Sequence, residues 1–215
     1  MAVSTRAGGL FVTFEGPEGA GKTTQIEFLN EALTHAGYDV FKTREPGGTE
    51  LGEQLRHLLM RRGGAPVTPE AELLLFGAGR AQHMRERILP HLERGGVVLC
   101  DRFLDSTTAY QGYARKLDLA FIAAMHDFSV CGRWPDLTFL LNISLAESRQ
   151  RTRGRDGAVP NDRFEAEGND FHRLVHAGFL DLARRYPQRF RVIDAEQPVD
   201  AIAAAIWSEV RRALD

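Results

Sequence analysis

Cysteine is scarce in this chain. Cys100 and Cys131 are the only two in 215 residues, and Cys100 closes the apolar run Val97-Val98-Leu99-Cys100. A disulfide framework therefore has no basis, and a reducing cytoplasm is the expected compartment. Long hydrophobic runs are also missing: no stretch approaches the roughly 18 residues that a membrane span requires, and Met1 to Gly9 lacks the apolar segment of a signal peptide. No membrane partner is expected. Nor is there a basic excess, since 27 Lys and Arg stand against 29 Asp and Glu, for a net charge of −2. That balance argues against nucleic acid as a partner. With no internal repeat and no Pro/Ser-rich linker, the sequence reads as a flexible tail over 1–9 and a single domain over 10–215.

What is present is an alternation. Short β-rich runs at Gly9 to Phe14, Tyr38 to Lys42, Val97 to Cys100, Leu137 to Ile143 and Phe190 to Ile193 predict five strands. Helical patterns lie between and after them: Ile26, Leu29 and Leu33 in the first, then Glu70 to Arg94 with a break near Pro90, Leu117 to Val130, Ala146 to Arg153, Phe171 to Arg185 and Val199 to Leu214. Alternating strands and helices imply a doubly wound α/β fold, a five-stranded parallel sheet flanked by helices.

The first strand runs into Gly16-Pro17-Glu18-Gly19-Ala20-Gly21-Lys22-Thr23, which satisfies G-x-x-x-x-G-K-[ST] between a predicted strand and a predicted helix. In that context the glycines let backbone amides converge on phosphate oxygens, and the helix N-terminus adds a favourable dipole. Lys22 reaches the β/γ-phosphates and the Thr23 hydroxyl can ligate Mg²⁺, with Thr24 continuing the loop. A phosphate-binding loop alone does not name a reaction. The GTPase reading needs D-x-x-G and N-K-x-D, yet no aspartate is followed three residues later by glycine and no asparagine precedes lysine. Kinases remain, along with a nucleotide-binding regulator that does not turn over.

Three further segments resemble signatures of bacterial thymidylate kinases, in order and spacing: Thr43-Arg44-Glu45-Pro46-Gly47-Gly48-Thr49, Asp101-Arg102-Phe103 and Ser106-Thr107-Thr108-Ala109-Tyr110-Gln111-Gly112. The resemblance runs from about Leu10 to the C-terminal helix and implies a P-loop nucleoside monophosphate kinase that phosphorylates dTMP from ATP with bound Mg²⁺, commonly as a homodimer. Carried over by position, it implies that Phe76 stacks on thymine and that Arg80 donates to the base, with Thr107 and Gln111 completing the recognition. Tyr110 would crowd the sugar 2′ position and so select deoxyribose. Arg102 would clamp the dTMP phosphate, with Arg56, Glu45 and Glu18 at the acceptor site, and Asp101 would hold Mg²⁺ through water beside Thr23. The acceptor phosphate is itself anionic near neutral pH, so no dedicated general base is called for.

Glu18 puts a carboxylate where the family's other subtype carries a catalytic arginine in the loop. The transition-state arginine is then expected from a lid at about 149–163, with Arg153 first and Arg149 and Arg155 as alternates. Two departures stand out: Thr107 replaces serine, and Gly77 and Gly79 flank Ala78 inside a helix, at a cost of roughly 1 kcal/mol each. His172 and His176 have the i, i+4 spacing of a metal pair, but Arg173 occupies the glutamate position of a zinc motif and no third ligand suggests itself. The nearest rival is a kinase for another nucleoside or nucleoside monophosphate, against which the joint presence of Phe76, Arg80, Tyr110 and Gln111 discriminates.

Overall fold

The computed structural model describes residues 8–63, 66–156 and 162–215, with backbone alone for 153–156. Residues 1–7 of the expected tail lie outside that range. Gly9, assigned to the tail from sequence, is buried, and the Arg133 guanidinium donates to the carbonyls of Gly8 and Gly9.

Five strands, β1 (Leu10–Glu15), β2 (Val40–Arg44), β3 (Val97–Asp101), β4 (Leu137–Asn142) and β5 (Phe190–Asp194), form one parallel sheet in the order β2-β3-β1-β4-β5. β1 is central and fully buried, as expected for a strand covered on both faces. Its side chains alternate. Leu10, Val12 and Phe14 join α1 (Lys22–His35) and α9 (Val199–Leu214) in one core through Ile26, Leu29, Leu33, Ile202 and Ile206. Phe11 turns the other way, into a cluster with Met84, Ile88, Leu92 and Phe103. A third cluster packs Leu140 and Phe190 against Val175, Phe179 and Leu182 of α8 (Asn169–Arg185).

The helical stretch predicted from Glu70 to Arg94 is α3 (Pro69–His83), a π-helical segment Met84–Ile88, and α4 (Leu89–Glu93). Proline at position 90 cannot donate to the carbonyl one turn earlier, and the ladder widens just before it. Thr68 caps α3 by accepting from Ala71 N, with Pro69 in the first turn. Gly77 has a packing reason: a Cβ there would stand 2.6 Å from Met125 Sδ on α6 (Leu119–Val130), so its absence lets α3 and α6 approach.

Two helical pieces were not predicted. α2 (Glu50–Met60) starts at Thr49, whose hydroxyl accepts from Gly52 N at 3.0 Å, with Glu50 and Glu53 in its first turn. α5 (Leu104–Thr107) continues into a π-helical turn, Thr108–Ala114. The remaining helix, α7 (Leu145–Asp156), follows β4.

Candidate active site

The carboxyl ends of β1 and β3 are neighbours, which places the glycine-rich loop beside Asp101 and Arg102 where open α/β sheets bind ligands. Gly16 carries φ 135, and a Cβ there would fall 2.5 Å from the Leu141 carbonyl oxygen. Gly21 has φ 89 at the N-cap of α1. Glycine is required at both. Lys22 Nζ donates to the carbonyls of Gly16 at 3.2 Å and Pro17 at 2.9 Å, inside the loop. Burial, then the nearby Arg102 charge, lowers its pKa to about 8. Thr23 Oγ1 donates to Asp101 Oδ2 at 3.2 Å, so the two groups expected at the metal already adjoin.

Two cavities meet at Glu18. The larger, about 1520 Å³, is an open cleft lined by Gly19 to Thr24, Thr43 to Glu45, Arg56, Asp101, Arg102, Arg151 and Gln197. The smaller, about 70 Å³, is lined by Phe76, Arg80, Arg102, Phe103, Ser106, Thr107, Tyr110, Gln111 and Phe164, with Glu45 and Glu18 at its border. The site residues expected from sequence thus separate into a phosphate side and an aromatic side. Arg56 lines the cleft rather than the small cavity, and its Nη1 donates to the Pro46 carbonyl at 3.1 Å.

The aromatic side is built on a buried polar frame. Arg80, 1% exposed, donates through Nε to Glu45 Oε2 at 2.9 Å and through Nη2 to Thr107 Oγ1 at 2.9 Å. Its Nη1 stands 3.4 Å from His126 Nδ1. His83 Nδ1 meets the other Glu45 oxygen at 3.1 Å. His126 is held well below the usual imidazole range by burial and by the Arg80 and Arg189 charges. Its neutral ring accepts from Arg80 and donates from Nε2 to Thr108 Oγ1, 3.0 Å away, which donates onward to the Leu104 carbonyl. Phe76 lies 6.1 Å from Phe164, and Tyr110 is flanked by Phe164, Phe171 and Phe179 at 5.8, 5.9 and 6.3 Å.

Arg102 joins the two sides. It adopts φ 62, uncommon for a residue with a Cβ, and the surroundings hold it there. Its N–H donates to Phe14 O at 2.9 Å, and its carbonyl accepts from Cys100 Sγ at 3.0 Å. Beyond it, Glu15 accepts from the amides of Phe103 at 2.8 Å and Ser106 at 3.1 Å and from the Ser106 hydroxyl at 2.6 Å. Glu15 is fully buried, and desolvation, with Asp105 nearby, pushes its carboxyl up to about 7. The Arg102 guanidinium donates from Nη1 to Gly16 O at 3.0 Å and Ser106 Oγ at 3.3 Å, lies 5.5 Å from the Tyr110 ring centroid, and has Nη2 3.8 Å from Glu18.

A family model described as thymidylate kinase matches residues 14–206. The thymidylate kinase of Thermomicrobium roseum is 47% identical over 204 residues, which span 95% of each chain, and that of Gloeobacter violaceus is 48% identical over 201 residues, 94% of each. A crystal structure of thymidylate kinase from Ehrlichia chaffeensis superposes with a TM-score of 0.76 at 33% identity, covering 95% of this chain and 99% of that one. The chain belongs to the thymidylate kinase family. Of the residues that the family resemblance singled out in the sequence, Phe76, Arg80, Arg102, Thr107, Tyr110 and Gln111 are among those that line the small cavity, and Arg56 is not.

Of the expected lid over about 149–163, residues 149–156 and 162–163 are described, with backbone alone for 153–156. Ser148 Oγ on α7 donates to Glu18 O at 2.7 Å, docking that helix on the glycine-rich loop. Arg149 is exposed and donates to Asn169 Oδ1. The side chains of Arg153 and Arg155 lie outside the described residues. Arg151, which alternates in sequence with Arg149, Arg153 and Arg155 but was not among the candidates for the transition-state arginine, lines the cleft, donating to Glu147 at 2.9 Å and to Ala195 O at 3.1 Å. Glu15, Glu72 and Phe164 were missed as well. The first two have signatures only in three dimensions, while Phe164 closely follows the Gly- and Arg-containing stretch Arg153 to Asn161 in the sequence, which is a local cue. Of the helical histidines, His176 pairs through Nε2 with Asn142 Oδ1 at 2.8 Å. Among the described residues no group of three or more His, Cys, Asp or Glu is placed to hold a metal.

Proposed function

We propose that this member of the thymidylate kinase family moves the γ-phosphoryl group of ATP onto dTMP, with ATP phosphates in the glycine-rich loop and the thymidine moiety in the small aromatic cavity. The observation that carries this reading is Arg102, whose guanidinium touches the loop at Gly16 and borders both cavities. It stands where the donor phosphates and the acceptor phosphate must meet. Phosphoryl transfer needs positioning and charge neutralisation more than covalent chemistry, and Lys22, Arg102 and the loop amides provide both. Phe76 supplies the face for base stacking and Arg80 the donor, and the Tyr110 ring, wedged among three phenylalanines, excludes a 2′-hydroxyl.

The Thr23 hydroxyl and Asp101 carboxylate are hard oxygen donors beside the phosphate loop, and they suit Mg²⁺, which keeps several waters and binds together with nucleotide phosphates. When bound it neutralises charge on the β- and γ-phosphates. The lid runs over about 149–163 and delivers a transition-state arginine from Arg153, Arg149 or Arg155, supported by the docking of α7 on the loop through Ser148. We assign the subunit contact of a homodimer to α2, α3 and α6, which pack together and expose Leu58, Leu74, Phe121 and Phe128, the last 75% exposed and one heptad from Phe121. No described helix is long and apolar enough to cross a membrane, and both cysteines are free, in keeping with a cytoplasmic enzyme.

Lys22→Ala tests the phosphate loop. A folded variant with kcat reduced at least about a hundredfold is expected, because the lysine sits inside the loop where charge develops. Turnover near that of the parent enzyme would remove the loop from the mechanism.

A further inference from the structure

Behind the aromatic cavity lies a buried carboxylate to which the chemistry above gives no task. Glu72 on α3 is 1% exposed, and Gln111, equally buried, donates from Nε2 to Glu72 Oε1 at 2.7 Å. Two guanidiniums face the same carboxylate: Arg163 forms an ion pair at 2.7 Å and Arg115 donates from Nε at 3.4 Å. A carboxylate between two cations only accepts, so the amide of Gln111 must present its NH₂ to Glu72. Its carbonyl oxygen is then the atom offered to the cavity.

We propose that Glu72 is a positioning residue for base recognition, which locks Gln111 with its carbonyl toward the bound base. The proposal rests on the reading of the small cavity as the nucleoside pocket. Arg80, a donor only, lines the same cavity as Gln111, so the cavity offers both a donor and an acceptor. A base edge with a carbonyl next to a ring N–H satisfies both, which thymine and uracil provide. Cytosine presents the reverse, an amino group toward the arginine and a bare ring nitrogen toward the carbonyl. Guanine carries the matching pair, so this pattern discriminates against cytosine and not against guanine. Glu72 thus sets the donor and acceptor pattern without touching the substrate.

Glu72→Gln tests this, since a neutral amide can donate as well as accept and frees Gln111 to turn over. The ratio of kcat/KM for dTMP over dCMP should fall at least about tenfold, while the KM for ATP stays within about twofold. Arg115→Ala removes a neighbouring cation and keeps the carboxylate, so its ratio should remain within about threefold of the parent value. A folded Glu72→Gln enzyme with an unchanged ratio would overturn the proposal. Should that variant not fold, isotope-labelled parent enzyme decides: on dTMP binding the Gln111 carboxamide carbon resonance should shift while its NH₂ signals hold, and the opposite pattern overturns it. A dTMP KM unmoved by Phe76→Ala would instead overturn the pocket reading, and the proposal with it, which separates the two failures.

Discussion

Arg102→Lys keeps the positive charge, the Cβ and the buried stem, and alters only the geometry of the donors. In the structure Nη1 spends its N–H groups on Gly16 O at 3.0 Å and Ser106 Oγ at 3.3 Å, which leaves the Nε–Nη2 edge to grip two phosphate oxygens of the acceptor. An ammonium group is a single centre and cannot hold the loop carbonyl and chelate the phosphate together. One charge-assisted hydrogen bond, about 1.5 to 3 kcal/mol, is lost, so kcat/KM for dTMP should fall about tenfold to a hundredfold. The assay couples ADP release to NADH oxidation with dTMP varied, and calorimetry gives the affinity for thymidine, which lacks the phosphate. Thymidine binding should stay within about twofold, because the aromatic cavity is untouched. If kcat/KM for dTMP stays within about threefold of the parent value, or thymidine affinity falls as far as dTMP affinity, Arg102 is not the phosphate clamp.

Tyr110→Phe should preserve the preference for dTMP over UMP, whereas Tyr110→Ala should relax it, since the ring flanked by Phe164, Phe171 and Phe179 does the excluding. An unchanged dTMP to UMP ratio in Tyr110→Ala would refute the sugar gate. Among the lid arginines, Arg153→Ala should lower kcat by a large factor, up to the 10³ to 10⁵ that arginine fingers supply, with the KM for dTMP within a few-fold. If none of Arg149→Ala, Arg153→Ala and Arg155→Ala lowers kcat more than about tenfold, the lid does not provide the transition-state charge. Burial raises the Glu15 carboxyl to about 7, so its contribution to stability is complete below the ordinary carboxylate range and is lost as pH rises through 7. The loss is at most about 3 kcal/mol. Urea unfolding at pH 5 and pH 8 should show a smaller drop in Glu15→Gln than in the parent protein, and parallel drops would contradict the assignment.

The fold was legible because its signals are local. Apolar β-rich runs alternate with helical periodicity, and the Gly16 to Thr23 loop lies where the first strand hands over to the first helix. α2 does carry a local signal, Thr49 followed by Glu50 and Glu53, but its cap residue is also the last residue of the Thr43 to Thr49 motif, which hides the helix start. α5 and the π-helical turn after it carry no such signal. Leu104-Asp105-Ser106-Thr107-Thr108 is a poor helix former, and it coils because Glu15, 91 residues away, satisfies the Ser106 amide and hydroxyl. The site divides the same way. Residues in recognisable motifs, such as Lys22, Arg102 and Tyr110, could be named from sequence. Glu15, Glu72 and His126 owe their places to partners distant in the chain, and a lone Glu or His among many carries no mark of burial.

The measurement closest to the central claim is ADP release by the purified enzyme with ATP, Mg²⁺ and a panel of nucleoside monophosphates. The account predicts turnover with dTMP, less with dUMP by the roughly 1 to 3 kcal/mol of a lost methyl contact, and much less with UMP, whose 2′-hydroxyl meets Tyr110. Equal rates across the panel, or a faster reaction with UMP than with dTMP, would contradict it.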